Sequence, residues 1–533
     1  MRQQPLLWML FVLGTAGGAG ATEWPQYRGP LGDGSSPDAI RTDWNENPLP
    51  VLWQQPIGPG WSSPAVAGGR LVTLTLESTP NGPMEVCVAL DAATGQPLWS
   101  RPVDNAAYDN LVGYDDRLDG PRSTPSLSGD RVVVFTSRLK LLCLRATSGE
   151  VLWRRDFVAE FGSQVIAWQN AASPLIIGDL VFVNANAPGQ RLMAVRLSDG
   201  TTAWRAHDDP MTHASPAFGV LAGSPNLVFV TQRGLVGLVP ETGEPQWRLA
   251  FQPSGTSTAA TPVLEGDRVY ASAAYGAGAW AAQISRRDAG AGLAAEQLWR
   301  QRSTAYQNHW STPVGHEGFL YSVVESGSEG ATRFRSVACL DLAAGINRWI
   351  TSAVGSGRVG FGSVIKAGGK IVVLTESGEL VLLEPNPEAY TELARQRILR
   401  DGLCWNNPAV AGGVLFARNS PHIDRANQVA PGRLIALRIG PEGALPGLRL
   451  AAGLTAGDPP RLVLTVSGDG GTPLPPDAGV RIELLAGERP GDPPALWTGV
   501  PVAWTAANGA LSAALDLTEG GRFFHVREAG TPP

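Results

Sequence analysis

Along most of the chain, short apolar runs recur at a fixed interval, each introduced by small residues and a proline. They read SSPAVAGGRLVTL, STPSLSGDRVVVF, ASPLIIGDLVFV, ASPAFGVLAGSPNLVFV, ATPVLEGDRVYA, STPVGHEGFLYSV and NNPAVAGGVLFA. Their alternating apolar positions predict strands, and the Gly-Gly or Gly-Asp pairs inside them predict hairpin turns. The prolines are Pro64, Pro125, Pro174, Pro216, Pro262, Pro313 and Pro408. The one wide gap contains GSVIKAGGKIVVL, with Val364 at the proline position, so eight units span the chain. Their mean spacing of about 49 residues is a propeller-blade period.

A second pattern closes each unit and is clearest in ALDAATGQPLW, with Ala89, Asp91, Thr94 and Gly95 before Trp99. Degenerate copies end at Trp153, Trp204, Trp247 and Trp349, and Trp299 keeps only the aromatic. The glycine before each Trp predicts a tight turn, and the acidic or Thr residue beside it can bond the turn's own amides. Each unit is then a four-stranded antiparallel sheet too small to bury both faces alone, and radial stacking of such sheets gives an all-β, eight-bladed propeller. VLW at Trp53 precedes the first proline unit, whereas the last unit ends at RLIALRIG without a Trp. The first strand is therefore expected to complete blade eight and remove open sheet edges. The closing segment of blade seven, LEPNPEAYTELARQRIL, has neither TG nor Trp, which keeps a seven-bladed ring as the fallback.

Composition narrows the function classes. With 42 Lys+Arg against 48 Asp+Glu, a net charge of −6 and only 17% charged residues, the chain is not an electrostatic nucleic-acid binder. Cys87, Cys143, Cys339 and Cys404 form no CxxC, no adjacent pair and no zinc spacing, and Cys143 and Cys339 lie in apolar runs as core residues do. Residues 1–21, MRQQPLLWMLFVLGTAGGAGA, read as a cleavable signal peptide ending in Ala19-Gly20-Ala21. No later run is long enough for a membrane span, and no Cys follows the cleavage site for lipid attachment. The expected organisation is a leader (1–21), an N-terminal extension (22–43), a propeller (44–440) and a small C-terminal β-sandwich (441–533), periplasmic or secreted. The last piece contains the short strands RLVLTVSG, VRIELLAG and RFFHVRE and no polar constellation.

The Ala89–Trp99 pattern and its echoes resemble the tryptophan-docking repeat of the pyrroloquinoline quinone (PQQ) propeller superfamily over roughly 44–440. Glu23 to Ser36, EWPQYRGPLGDGSS, resembles the WPQ-x-RGP-x-x-DG opening of exported bacterial PQQ-like repeat proteins. The resemblance implies a fold shared by quinoprotein dehydrogenases, a scaffold lipoprotein of the outer-membrane barrel assembly machinery, and proteins without known activity. The dehydrogenases hold PQQ with calcium or a lanthanide through carboxylate and amide ligands, use a catalytic Asp, and often have a disulfide between adjacent Cys residues. This chain has no adjacent Cys pair and no CxxCH, and its nearest acids, Asp208 and Asp209, form a weak loop pair.

In such a ring the residue three places before each proline should face one mouth of the central funnel. These positions hold Trp61, Arg122, Ala171, His213, Ala259, Trp310, Phe361 and Trp405, flanked by Asn170, His309 and Asn406. Trp61, Arg122, Asn170, His213, His309, Trp310, Phe361, Trp405 and Asn406 are the candidate ligand-binding set. An apolar mouth with a few orienting polar groups suits a flat or oligomeric organic ligand. The competing reading makes the tryptophans a channel plug, Arg122 a salt-bridge partner of Asp115, Asp116 or Asp119, and both histidines structural. The acidic loop Asp104–Asp119, with Tyr108 and Tyr114, could overhang the funnel or hold Ca²⁺, but a solvated loop is its simpler reading. No catalytic residue or metal ligand is assigned. The expected function is an exported, non-catalytic propeller binding a ligand, glycan or protein partner. A PQQ- and Ca²⁺-dependent oxidoreductase and an outer-membrane assembly scaffold are the alternatives.

Overall fold

The computed structural model describes residues 22–440, apart from 81, 107–118, 254–257, 288–291, 327–333, 353, 357–358, 401 and 424–428, and the strand backbone between 448 and 528. The expected leader and Tyr108, Tyr114, Asp115 and Asp116 of the acidic loop lie outside the described residues. Thr22–Ala444 is one compact unit. Its strands form eight blade sheets and a two-stranded ribbon, His422–Ile423 with Val429–Ala430, and the seven-bladed fallback falls away. Blade 1 consists of Ala65–Ala67, Arg70–Thr79, Gly82–Asp91 and Pro97–Asn105. Blades 2 to 7 follow over 126–156, 175–206, 217–250, 263–301, 314–351 and 363–397. Blade 8 takes Ala409–Ala411, Val414–Arg418 and Gly432–Arg438 from the end of the ring and Val51–Ile57 from its beginning. The first and last repeats thus share one sheet, as the misplaced VLW predicts.

Each outer strand slips register by one residue just before the Trp position, as between Val51 and Trp53, Val151 and Trp153, and Ala281 and Ala282 opposite Trp299. Such a bulge turns the side chain away from its own pleat, and here it delivers the indole to the next blade. Trp53 Nε1 donates to Ala92 O at 2.9 Å, Trp99 to Ala146 O at 2.8 Å, Trp153 to Leu197 O at 2.9 Å, Trp204 to Pro240 O at 2.8 Å, and Trp299 to Leu342 O at 2.8 Å. The TG glycine has two reasons to be glycine. Gly200 has φ +77°, and a Cβ there would lie 2.8 Å from Trp153 Cδ2. Blade 7 lacks the TG, yet Trp349 still finds Asn386 O at 2.8 Å and packs edge-on against Tyr390. Trp247 is the exception, bonding Asn226 Oδ1 of its own blade and lying over Gly237.

A second belt runs nearer the axis, through the residue immediately before each proline. Ser63 N–H donates to Thr124 Oγ1, Thr124 N–H to Ser173 Oγ, Ser173 N–H to Ser215 Oγ, Thr261 N–H to Thr312 Oγ1, and Asn407 N–H to Ser63 Oγ, at 2.8–3.0 Å. Proline holds its predecessor extended, and a short hydroxyl there reaches the neighbouring backbone. The junction of blades 8 and 1 is reinforced by Arg418, fully buried, which donates to Leu74 O, Gly58 O and Thr73 Oγ1. Burial without a carboxylate lowers its pKa to about 9.

The segment from Thr22 to Pro50 crosses the ring over the inner strands. Trp24 bridges Val66 of blade 1, Pro25 O accepts from Leu127 N–H of blade 2, and Gln26 Oε1 accepts from Ile176 N–H of blade 3. On the far side Arg28 donates to Thr312 O and Pro313 O of blade 6, and Ser35–Ser36 adds a parallel strand to blade 7 at Lys366 and Ala367. Gly34 faces the Arg28 guanidinium so closely that a Cβ would stand 2.5 Å from Nη2. The segment also repairs blade 7, whose Trp position is Ala394. Trp44 is 1% exposed in the same apolar cluster as Ala394, and Asn45 and Leu49 bond residues 393 to 396 of that blade's outer strand.

Beyond the propeller, Leu448–Thr455, Arg461–Gly468, Ala510–Asp516 and Thr505–Ala507 form one antiparallel sheet, and Thr498–Val500, Ile482–Gly487 and Phe523–Glu528 form another. No helix among the described residues is long and apolar enough to cross a membrane.

Two stability experiments follow. Gly200→Ala and Gly178→Ala both place Ala at positive φ, but only the first meets an indole, Gly178 having nothing within 4 Å. Denaturant titration should show a loss of about 1 kcal/mol for Gly178→Ala and about 3 kcal/mol for Gly200→Ala, where overpacking adds to strain. Trp44→Ala should cost about 3–5 kcal/mol, a loss that a merely surface-lying extension would not show.

Candidate functional site

The candidate residues separate into two groups. Trp61, Trp310, Phe361 and Trp405 arrive from different blades and meet in one aromatic cap. Trp61 stacks on Trp405 with ring centroids 4.5 Å apart, and Trp310 on Phe361 at 4.3 Å. The two pairs join through Trp310 and Trp405 at 5.0 Å. His309 stands edge-on to Trp310 at 4.3 Å and to the exposed Tyr275 at 5.2 Å, so the aromatic surface reaches from blade 5 to blade 1. All four cap rings are half-buried. Offset and edge-on ring pairs contribute about 0.5–1.5 kcal/mol each beyond the area they bury.

Polar groups hold the cap from outside. Trp405 Nε1 donates to Glu376 Oε1 at 2.5 Å, and Trp61 Nε1 to Asp119 Oδ1 at 3.2 Å. Asp119 also receives Arg122 Nη2 on both oxygens, at 2.9 and 2.8 Å. Arg122 therefore reaches the mouth paired with an acid of its own loop and, through that acid, braces Trp61. The Arg335 guanidinium lies 3.7 Å from the Phe361 ring centroid and pairs with Glu325. Glu376 and Arg335 gave no signal in the sequence, since each sits in an ordinary strand or turn context and only the fold brings it to the cap.

Asn170 and His213 stand apart from the cap. Asn170 is fully buried and spends its amide on Ala172 O, Thr136 O and Phe135 O while accepting from Ala172 N–H. His213, 4% exposed, has Nε2 3.1 Å from Ala167 O. Asn406 is buried beside the cap, with neither side-chain atom in a protein hydrogen bond. Of the acidic pair, Asp208 binds Arg191 and Arg233, and Asp209 binds Arg248 through both oxygens. In the acidic loop, Asp104 takes Thr136 Oγ1 and Lys140 Nζ. Burial pushes all four thiols up, so none is prepared as a nucleophile.

PQQ with a divalent cation would need a flat slot and carboxylate ligands. At this mouth the ring faces are occupied by one another, and Glu376, Asp119 and Glu325 are each engaged by an indole or guanidinium. The cavity beside the cap, lined by His309, Trp310, Ser311, Glu325, Arg335 and Phe361, measures about 10 Å³, room for about one water molecule and far below the roughly 300–1,000 Å³ of sites for drug-sized ligands. Among the described residues no three His, Cys, Asp or Glu side chains converge as a metal site would need. The residues present do not fit the quinone.

The comparisons with known proteins agree with the architecture. A family model described as outer membrane protein assembly factor BamB matches residues 83–351. No curated protein matches the chain. Among solved structures, the quinohemoprotein alcohol dehydrogenase of Comamonas testosteroni is similar at 13% identity and a TM-score of 0.55, over 82% of this chain and 83% of that one. Quinohemoprotein alcohol dehydrogenase ADHIIG of Pseudomonas putida HK5 is similar at 12% identity and a TM-score of 0.51, over 80% and 82%. BamB of Moraxella catarrhalis aligns at 16% identity and a TM-score of 0.47, over 73% of this chain and 97% of that one. These likenesses concern the fold. With its period, its indole clasps and half its length matched by the family model, the chain belongs to the PQQ-like β-propeller family.

Proposed function

We propose that the protein is an exported, non-catalytic propeller that acts as a binding scaffold in the cell envelope, with the aromatic mouth as its recognition surface. The observation that carries this reading is the cap itself. Its rings stack in two face-to-face pairs, are half-buried, and are joined to Arg122 through Asp119. Aromatic and arginine side chains of this kind are the usual anchors of protein interfaces, and they also suit sugar rings, so a protein partner comes first and a glycan or small organic ligand second. The family model's description, an outer-membrane protein assembly factor, is of the same class of role. Quinone-dependent oxidation is the rival, and it would require the cap to come apart.

Incubating the purified protein with PQQ and Ca²⁺ should leave no quinone absorbance after gel filtration and no dye-linked oxidation of alcohols or sugars. Tight binding with turnover would overturn the reading. In envelope extracts, the parent protein should retain a partner whose recovery falls about tenfold or more when Trp61→Ala and Trp405→Ala are combined. Circular dichroism would confirm that the ring persists, and undiminished recovery would place the recognition surface elsewhere.

A further inference from the structure

Thr22 is the residue directly after Ala19-Gly20-Ala21, the small-residue signature at which the leader is expected to be removed. It is not a loose end. Its hydroxyl donates to Asp38 Oδ2 and accepts from Gly412 N–H at 3.0 Å, while Asp38 Oδ2 also accepts from Gly413 N–H at 2.9 Å. Gly412 and Gly413, with φ +59° and +70°, form the first hairpin turn of blade 8. Thr22 and Asp38 together therefore clasp that turn.

The clasp has an anion and no cation. The side-chain contacts of Asp38 among the described residues are a hydroxyl and a backbone amide, and desolvation outweighs both and pushes its pKa up. A carboxylate taken partly out of water without a counter-charge opposes folding. In an unprocessed chain the Thr22 nitrogen is an uncharged amide. Hydrolysis of the Ala21–Thr22 peptide bond by a leader peptidase adds water, releases Ala21 as a carboxylate, and leaves the Thr22 nitrogen as an amine. With an ordinary pKa of about 7.7–8.0, that amine is largely protonated at neutral pH. The amine and the hydroxyl of threonine sit on adjacent carbons, so a hydroxyl already on Asp38 keeps the ammonium within reach of the same carboxylate.

We infer that removal of residues 1–21 places the new α-ammonium of Thr22 on Asp38, so that processing supplies the missing cation and fastens the N-terminal segment to blade 8. The leader's removal is then read by the fold, whatever the mouth binds.

Four forms of the mature chain test this: the processed protein from the envelope, the same chain with Gly-Ser-Gly before Thr22, and each of these two with Asp38→Asn. N-terminal sequencing of the processed protein should begin at Thr22, and a different start overturns the inference. The extension should lower the thermal midpoint by about 1–3 °C, and that penalty should vanish in the Asp38→Asn background. Equal midpoints for processed and extended chains, or a penalty that persists with Asp38→Asn, would sink it. If Asp38→Asn does not fold, N-terminal acetylation removes the charge without bulk, and an unchanged midpoint then counts against the ion pair.

Discussion

A blade of four strands leaves both its faces in water unless a neighbour covers them, so the whole molecule depends on contacts between blades that cannot be made within one. The indole clasp is the main one. A bulge tips the Trp out of its own sheet, a glycine without Cβ admits the ring, and Nε1 finds a turn carbonyl that would otherwise be unsatisfied. Three requirements meet at one residue pair, which is why Trp and Gly keep the same period. The Ser/Thr hydroxyls before the prolines make a second, inner connection between the same blades.

Where the clasp fails, the N-terminal segment compensates. Blade 7 has Ala394 at the Trp position, and Trp44, from a different part of the chain, is buried in the same apolar cluster. The segment also lays Arg28 across the inner strands, and the strand that follows it, Val51–Ile57, completes blade 8. Arg28 and Arg418 are both fully buried against carbonyl oxygens, and burial lowers both pKa values. Buried guanidinium groups held this way stabilise one register of the ring, because any slip would leave several charge-assisted bonds unmade.

The aromatic cap is built from side chains of several blades. Its rings use their faces on one another, and its acids are bound to indole or guanidinium groups. A site for redox chemistry needs unoccupied ring faces and available carboxylates, whereas a recognition surface needs rigid rings in fixed positions. The propeller fold is compatible with either role.

The amino-acid sequence alone determined the period, the number of blades, the sharing of blade 8 and the glycine turns, because each depends on local patterns that every blade repeats. It also placed Trp61, Trp310, Phe361 and Trp405 at one mouth, since a repeat with a known phase assigns equivalent positions equivalent directions. Tertiary structure decided the rest. His213, which shares that phase, and Asn170, which flanks it, are taken up by backbone carbonyls, and Arg122 is held by Asp119. Trp44 sharing an apolar cluster with blade 7, Glu376 bracing Trp405 and Arg335 beneath Phe361 involve residues from non-equivalent places. No periodicity announces such meetings, and only the closed ring brings those residues within bonding distance.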